Sequence, residues 1–190
     1  AMLSWGYHET LINTLNSYKK FGLDKLFTDK VIFFQEYSKE DRQIAKDFGY
    51  AAFGSPENIG IAEAYKLLAA YASGEYFLFL ENDWELLEPA AQAIIDGWGM
   101  LYLGIADMIR YRHRDEPGNP LWTRQFQGRE YDKPTHLLDA IHWEPNLDKF
   151  EEIKRITVGD RDWFITTSRN ANWTNNPHIC LLYTSDAADD

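Results

Sequence analysis

Short apolar runs that suit buried strands alternate with segments of helical period through the first hundred residues, and this alternation is the strongest constraint on the fold. Two of the runs, VIFF at residues 31–34 and YFLFL at residues 76–80, are apolar at every position. Runs of this kind are typical of parallel strands that are covered on both faces. The pattern therefore predicts an α/β domain with a doubly wound, mostly parallel sheet.

The boundaries of these elements follow from period and from end signals. Strands are predicted over residues 1–5, 30–34, 50–53 and 76–80. The first helix should end at Phe21 before Gly22, and the second should begin at Ser38, with Asp41 completing its cap, and end before Gly49. Two more helices are predicted over residues 62–73 and over residues 89–98, with Pro89 as the first residue of the latter.

Beyond residue 100 the alternation weakens. A strand with one cationic face is predicted over residues 107–114, a long loop over 115–134, and ordered structure over 137–143 and 156–167. We expect one domain over residues 1–179, made of halves 1–100 and 101–179. Both ends read as cut, and residues 180–190 (CLLYTSDAADD) have no helical or strand period and resemble a translated sequencing adapter. Cys180 is therefore assigned no chemistry.

Charge and cysteine content exclude several classes of protein. The 190 residues include 19 basic and 30 acidic side chains, and a net charge of -11 would repel a nucleic-acid backbone. A single cysteine excludes an internal disulfide framework and fits a reducing compartment, which favours the cytoplasm. Five scattered histidines lack zinc-ligand spacing, and no apolar run approaches the roughly 20 residues of a membrane-spanning helix.

Polar side chains collect where the predicted strands end. Trp5 ends the first strand, Gln35 and Glu36 follow the second, and the triplet from Glu81 to Asp83 follows the fourth. Ligands of open α/β sheets bind beyond the carboxyl ends of the strands, so the sequence predicts a site at this edge.

Two segments carry a resemblance to a known family. Residues 57–88 (ENIGIAEAYKLLAAYASGEYFLFLENDWELLE) and residues 1–15 (AMLSWGYHETLINTL) resemble glycosyltransferase family 2, over about residues 1–93. The resemblance implies a GT-A fold. It also implies transfer of a sugar, with inversion, from a UDP- or GDP-sugar to a hydroxyl of a carbohydrate or glycoconjugate. It also implies a divalent metal, and an all-oxygen ligand set favours Mn²⁺ or Mg²⁺.

The resemblance also assigns residues. Glu81 and Asp83 match the acidic metal motif, in which carboxylates at a strand end hold the ion that neutralises the leaving diphosphate. Nucleotide contacts are expected from the following residues: Ser4, Gln35, Glu36, Asn58, Gly60, Asn82 and Arg112. Where the family often has an aspartate that meets the base, this chain has Gln35 beside Glu36, and the identity of the base stays open.

The downstream residues leave more alternatives open. Arg110, Arg112 and Arg114 could hold a diphosphate or could form a solvated strand face. The acceptor hydroxyl needs a base, for which Asp139 is the first candidate and His142 the alternative. Glu144, Asp160 and Asp162 are further formal candidates.

Two other functions compete with glycosyl transfer. One is a non-catalytic or degenerate carbohydrate- or nucleotide-binding domain, which the altered base-contact position favours. The other is a sugar-phosphate nucleotidyltransferase, which would need a glycine-rich, lysine-bearing loop after the first strand. The sequence SWGYHET does not supply that loop, so this function ranks last.

Overall fold

A computed structural model describes residues 1–111, 125–126, 129–130, 151, 153–168 and 177–182. The chain separates into two compact units, Ala1–Tyr111 with Asn175–Asp190, and Arg112–Thr174, and each is described by itself. Within the described ranges, no helix has the length and apolar character needed to cross a membrane. The division into one domain and a tail at residue 180 stays a prediction.

A six-stranded sheet forms the centre of the first unit. Its strands are β1 (Met2–Trp5), β2 (Val31–Gln35), β3 (Ala51–Gly54), β4 (Tyr76–Glu81), β5 (Met108–Arg110) and β10 (His178–Leu181). They lie in the order β3-β2-β1-β4-β10-β5. The four strands β1 to β4 are parallel, whereas β10 runs antiparallel to both of its neighbours, β4 and β5.

Four α-helices accompany this sheet: α1 (His8–Phe21), α2 (Lys39–Asp47), α3 (Ile61–Tyr71) and α4 (Ala91–Tyr102). A short 3₁₀ helix over Leu23–Lys25 follows α1. Two of the predicted end signals are confirmed. Gly22 caps α1 in the left-handed region at φ 76°, and Ser38 and Asp41 form a reciprocal capping box at the start of α2.

The predicted start of the fourth helix is wrong. The helix begins at Ala91 and continues to Tyr102, so Pro89 lies before it. Proline has no N–H to donate and its ring fixes φ, and both properties suit the turn that precedes a helix as well as the first helical position. The helix also extends beyond residue 98, because Met100 and Leu101 are buried and continue its packed face.

Helices cover both faces of the sheet. On one face, Ala64 and Leu68 of α3 pack in an apolar cluster with Leu3, Phe33 and other strand residues. The strand order reverses direction after β3, and right-handed crossovers then place α1 and α2 on the opposite face from α3. Helix α4 lies on the same face as α1 and α2, because its Trp98 contacts Tyr76 of β4. Tyr76 precedes Phe77, which packs on α3, so the side chain of Tyr76 points to the opposite face. The predicted doubly wound, mostly parallel α/β fold is confirmed.

The strand β10 contradicts one expectation about the end of the chain. Residues from Cys180 onward lack a strand period in sequence, yet Cys180 and Leu181 pair with Phe77 and Tyr76 of β4. The Cys180 side chain is fully buried in the cluster on the α3 face. A strand of four residues is too short for alternation to be visible, and its position is set by pairing with distant strands.

The described part of the second unit contains two hairpins. Strands β6 (Gln125–Phe126) and β7 (Arg129–Glu130) pair antiparallel, so the loop expected over residues 115–134 is wrong at these four residues. Pairs of two residues carry no periodic signal. Strands β8 (Lys154–Val158) and β9 (Arg161–Ile165) form the second hairpin, in agreement with ordered structure near 156–167. Residues 137–143 lie outside the described ranges.

Candidate functional site

The carboxyl ends of β2, β1 and β4 lie side by side at one edge of the sheet. Trp5 is in register with Gln35 of β2, and Leu3 is in register with Glu81 of β4. Side chains alternate between the two faces of a sheet, so these four residues lie on the face of Leu3, Phe33 and Phe79, which α3 covers. The order across the edge is Gln35, then Trp5, then Glu81, with neighbouring strands about 4.8 Å apart.

Contacts from β1 and α1 fix the turn that follows β4. The Asn82 amide donates to the Leu3 carbonyl at 3.0 Å, and the Thr14 hydroxyl donates to the Asn82 carbonyl at 2.7 Å. The Tyr18 hydroxyl donates to the carbonyl of Trp84 at 2.8 Å. The side chains of Thr14 and Tyr18 are almost fully buried, so their hydrogen bonds fix the turn from the interior of the protein.

The structure brings the two predicted metal ligands into the same turn. Burial raises the pKa of the Glu81 carboxyl above its usual value, the negative charge of Asp83 raises it further, and a hydrogen bond to Trp84 lowers it. Asp83 itself is exposed. The two carboxylates of this turn therefore interact electrostatically in the metal-free protein. Among the described residues, no group of three or more His, Cys, Asp and Glu side chains could hold a metal ion.

A glutamine at position 81 is expected to stabilise the metal-free protein at neutral pH. The raised pKa of Glu81 in the folded state means that its favourable contribution is complete at acidic pH and is lost as pH rises through that pKa. Glutamine does not titrate, and glutamate in the unfolded chain titrates at about pH 4. The difference in unfolding free energy between Glu81→Gln and the wild type should therefore grow as the pH rises from about 4 to 7. Urea unfolding at several pH values measures it, and a difference that shrinks toward neutral pH would contradict the expectation.

Gln35 holds the loop that leads into α3. Its Oε1 accepts from the Ile59 amide at 2.9 Å, and its Nε2 donates to the Gly60 carbonyl at 3.1 Å. The Asn58 side chain accepts from the Gly60 amide at 2.9 Å, and Gly60 has a φ of 82°, which favours glycine. Helix α3 begins at the next residue, so its amino terminus faces the edge that carries the turn of Glu81, Asn82 and Asp83, called the acidic turn below. Gln35 is buried, and both ends of its amide are used on this loop. A direct contact between Gln35 and a nucleotide stays a prediction.

Alanine at position 35 is expected to lower the free energy of unfolding by about 1 to 3 kcal/mol, because the buried Gln35 side chain loses two part-buried hydrogen bonds to the loop, each worth about 0.5 to 1.5 kcal/mol. Chemical denaturation measures the change. Gln43→Ala is the matched control, because the Gln43 amide makes an exposed contact within α2 and its removal should change stability by less than about 0.5 kcal/mol. Equal effects of the two variants would show that the Gln35 contacts contribute nothing.

Trp5 and Glu36 form a pair at the neighbouring strand ends. The indole N–H of Trp5 donates to Glu36 Oε2 at 3.1 Å, and both side chains are exposed. Glu36 and Tyr7 both have positive φ, at 56° and 46°. Ser4, by contrast, is fully buried on the opposite face of β1, so its side chain does not reach the exposed edge.

The remaining predicted residues are less informative. Arg110 ends β5 beside His178 of β10, and burial lowers the pKa of its guanidinium. Asp160 lies in the β8–β9 turn, and Asp162 accepts a hydrogen bond from the Arg155 guanidinium at 3.1 Å. The structure does not describe five predicted site residues: Arg112, Arg114, Asp139, His142 and Glu144. All of these assignments stay predictions.

Sequence reasoning missed the side chains that support the acidic turn. Thr14, Ser17 and Tyr18 are buried polar residues of α1, and the Ser17 hydroxyl accepts from the Leu86 amide at 2.9 Å. Their spacing of three and four residues places them on one face of the helix. Polar groups at helical spacing on an otherwise apolar face were the signal that could have identified them.

Comparison with known proteins gives a partial structural likeness. No protein-family model matches the chain, and no curated protein matches its sequence. A solved mannosyltransferase from Pyrobaculum calidifontis, in complex with GDP-Man and Mn²⁺, is similar at 11% identity with a TM-score of 0.46. The match covers 60% of this chain and 35% of that chain, so the chain spans about a third of the other protein.

Proposed function

We propose that this chain is part of a metal-assisted glycosyltransferase of the GT-A type, which moves a sugar from a UDP- or GDP-sugar to an acceptor hydroxyl with inversion. One observation carries the proposal. The turn that bears Glu81 and Asp83 is fixed at the carboxyl end of β4 by hydrogen bonds from the buried side chains of Thr14 and Tyr18, while Asp83 is exposed. Two carboxylates that repel each other cost stability unless a cation binds between them.

The acidic turn fits Mg²⁺ or Mn²⁺. Mg²⁺ is typically held by one or two carboxylates together with waters and substrate phosphate oxygens, and Glu81 and Asp83 supply that number of protein ligands. When bound, the ion neutralises charge that develops on a departing diphosphate. Leu3, Thr14 and Tyr18 orient the two carboxylates indirectly, because they hydrogen-bond the backbone of Asn82 and Trp84 on either side of Asp83.

The start of α3 supports the same assignment. Unpaired amide groups and the helix dipole make a helix amino terminus favourable for phosphate. Gln35 and Asn58 fix the loop before this terminus, and Gly60 keeps it free of side-chain atoms. The chain has a net charge of -11, which repels a diphosphate as a whole. The positive amino terminus of α3 and the bound metal would supply the local attraction.

Transfer also requires a base. In a single displacement, the acceptor oxygen bonds to the anomeric carbon, the bond from that carbon to the diphosphate breaks, and the hydroxyl proton passes to the base. Asp139, or His142 as the alternative, is proposed for this role on sequence grounds alone.

Incubation of the full chain with UDP- and GDP-sugars tests the function, with and without Mn²⁺ and with a panel of sugar acceptors. Release of UDP or GDP that needs both metal and acceptor, with a glycosylated product of inverted configuration, is the expected result. Binding of nucleotide with metal, without transfer or hydrolysis, would instead favour a degenerate binding domain. No nucleotide binding under any condition would contradict both functions.

A further inference from the structure

Helix α4 presents an apolar face to solvent. Four large side chains of this helix and its C-cap are 42% to 69% exposed: Ile95, Trp98, Tyr102 and Leu103. They recur at helical spacing and form, together with Gly99, one stripe along the helix, called the α4 face below. Trp98 and Tyr102 are stacked with their ring centroids 5.5 Å apart, so the stripe is continuous. A helix that is apolar on its outer face as well as its inner face is typically covered on both sides.

Gly99 lies in the middle of the α4 face and has no packing role within the chain. The other glycine of the helix, Gly97, is required by packing, because a Cβ atom there would overlap the Tyr111 hydroxyl. A Cβ atom at Gly99 would meet nothing within 4 Å in the described part of the chain. Glycine inside a helix lowers the stability of that helix relative to alanine. The gap at Gly99 is suited to the close approach of a second helix from outside.

The charges near the α4 face indicate what kind of partner it fits. Residues 91–109 contain no lysine or arginine, and the chain has a net charge of -11. Helices that lie on membrane surfaces are typically rich in basic residues, and anionic lipids would repel this chain. The helix has one charged residue, Asp96, which lies beside the α4 face and accepts from Gln92 Nε2 at 2.8 Å. Two copies of the α4 face can therefore meet without placing like charges directly against each other.

We propose that the α4 face is the interface of a homodimer, in which the α4 helices of two copies of this chain cross at Gly99 about a two-fold axis. From their exposed fractions, the four apolar side chains present roughly 450 Å², since a fully exposed large side chain contributes about 150 to 250 Å². Two copies cover about 900 Å² of apolar surface in this way, and polar groups at the rim bring the total to the roughly 1,000 Å² that a specific interface needs. Aromatic side chains such as Trp98 and Tyr102 are enriched in interfaces of this kind.

Analytical ultracentrifugation of the full chain, over about 1 to 200 μM, tests the inference because dimer formation depends on concentration. The wild type should form a dimer in this range. Ile95→Glu should weaken the dimer by about 100-fold or more, since a two-fold interface carries each substitution twice. Gly99→Gln should weaken it to a similar extent by filling the gap, and glutamine is a better helix former than glycine, so the monomer should stay folded. Leu67→Glu is the matched control, because Leu67 is 44% exposed on α3, on the opposite face of the sheet, and should keep the wild-type affinity.

Three results would overturn the inference. The first is a wild type that stays monomeric throughout the range, and binding of that monomer to phosphatidylcholine vesicles would then assign the α4 face to a membrane surface. The second is a dimer that persists unchanged in Gly99→Gln and Ile95→Glu. The third is an equal loss of the dimer in Leu67→Glu, which would show that added charge anywhere on the surface prevents association. Circular dichroism of each variant identifies any loss of the fold, and Gly99→Gln decides the matter if Ile95→Glu does not fold.

Discussion

Alanine at position 83 is expected to weaken the binding of GDP in the presence of Mn²⁺ by about 100-fold or more and to remove its dependence on the metal. Changes to residues that merely orient metal ligands cost 10- to 100-fold in affinity or activity, so loss of a proposed ligand should cost at least as much. Asp83 is exposed, so the substitution should not disturb the hydrogen bonds from Thr14 and Tyr18 that fix the turn. Calorimetry with and without Mn²⁺ measures both quantities.

Asp47→Asn is the matched control for this variant. Asp47 is an exposed carboxylate in the last turn of α2. This helix starts near the carboxyl ends of the strands and runs toward the opposite edge of the sheet, so Asp47 lies away from the acidic turn. The control should keep the affinity and metal dependence of the wild type. If Asp83→Ala kept them as well, the acidic turn would have no part in metal binding, and the proposed function would lose the observation that carries it.

Aspartate at position 180 is expected to unfold the first unit or to reduce its unfolding free energy by about 3 kcal/mol or more. Cys180 is fully buried among Phe77, Phe79 and other apolar side chains, and its Sγ lies 3.9 Å from the Tyr65 hydroxyl. A carboxyl group there loses its hydration in an apolar site and must either stay charged without water or remain protonated at neutral pH. The net stability of a domain is about 5 to 15 kcal/mol, so the penalty removes a large share.

Guanidinium unfolding followed by tryptophan fluorescence measures this effect. Cys180→Ala is the control, because it keeps an apolar side chain at the same position and should cost about 1 kcal/mol. Free energies of unfolding that agree within about 0.5 kcal/mol for Cys180→Asp and Cys180→Ala would mean that this position is not buried in solution.

The sequence predicted much of the first unit because its signals are local. The apolar runs of β2 and β4 and the capping pair of Ser38 and Asp41 each depend on residues within a few positions. Gly22 likewise ends α1 through its own backbone freedom. Elements of this kind can be located without knowledge of the partners on which they pack.

Other features were missed because distant residues determine them. The strand β10 carries four residues, and its place between β4 and β5 depends on pairing with segments far away in the chain. The predicted ends of the strands placed Gln35 and Glu81 at one edge, as the structure shows. No local pattern could indicate that Gln35 holds the loop at Gly60. Thr14 and Tyr18 similarly act on a turn nearly seventy positions away.

The late position of β10 affects how the molecule folds during its synthesis. Glu81 ends β4, whereas His178 begins the strand that covers its free edge. At about 5 to 20 residues per second, a nascent chain would wait roughly 5 to 20 s between these points. During that interval the backbone groups along one side of a hydrophobic strand lack their final partner and can pair with another chain. We therefore expect the yield of folded protein to depend on protection of this edge while translation continues.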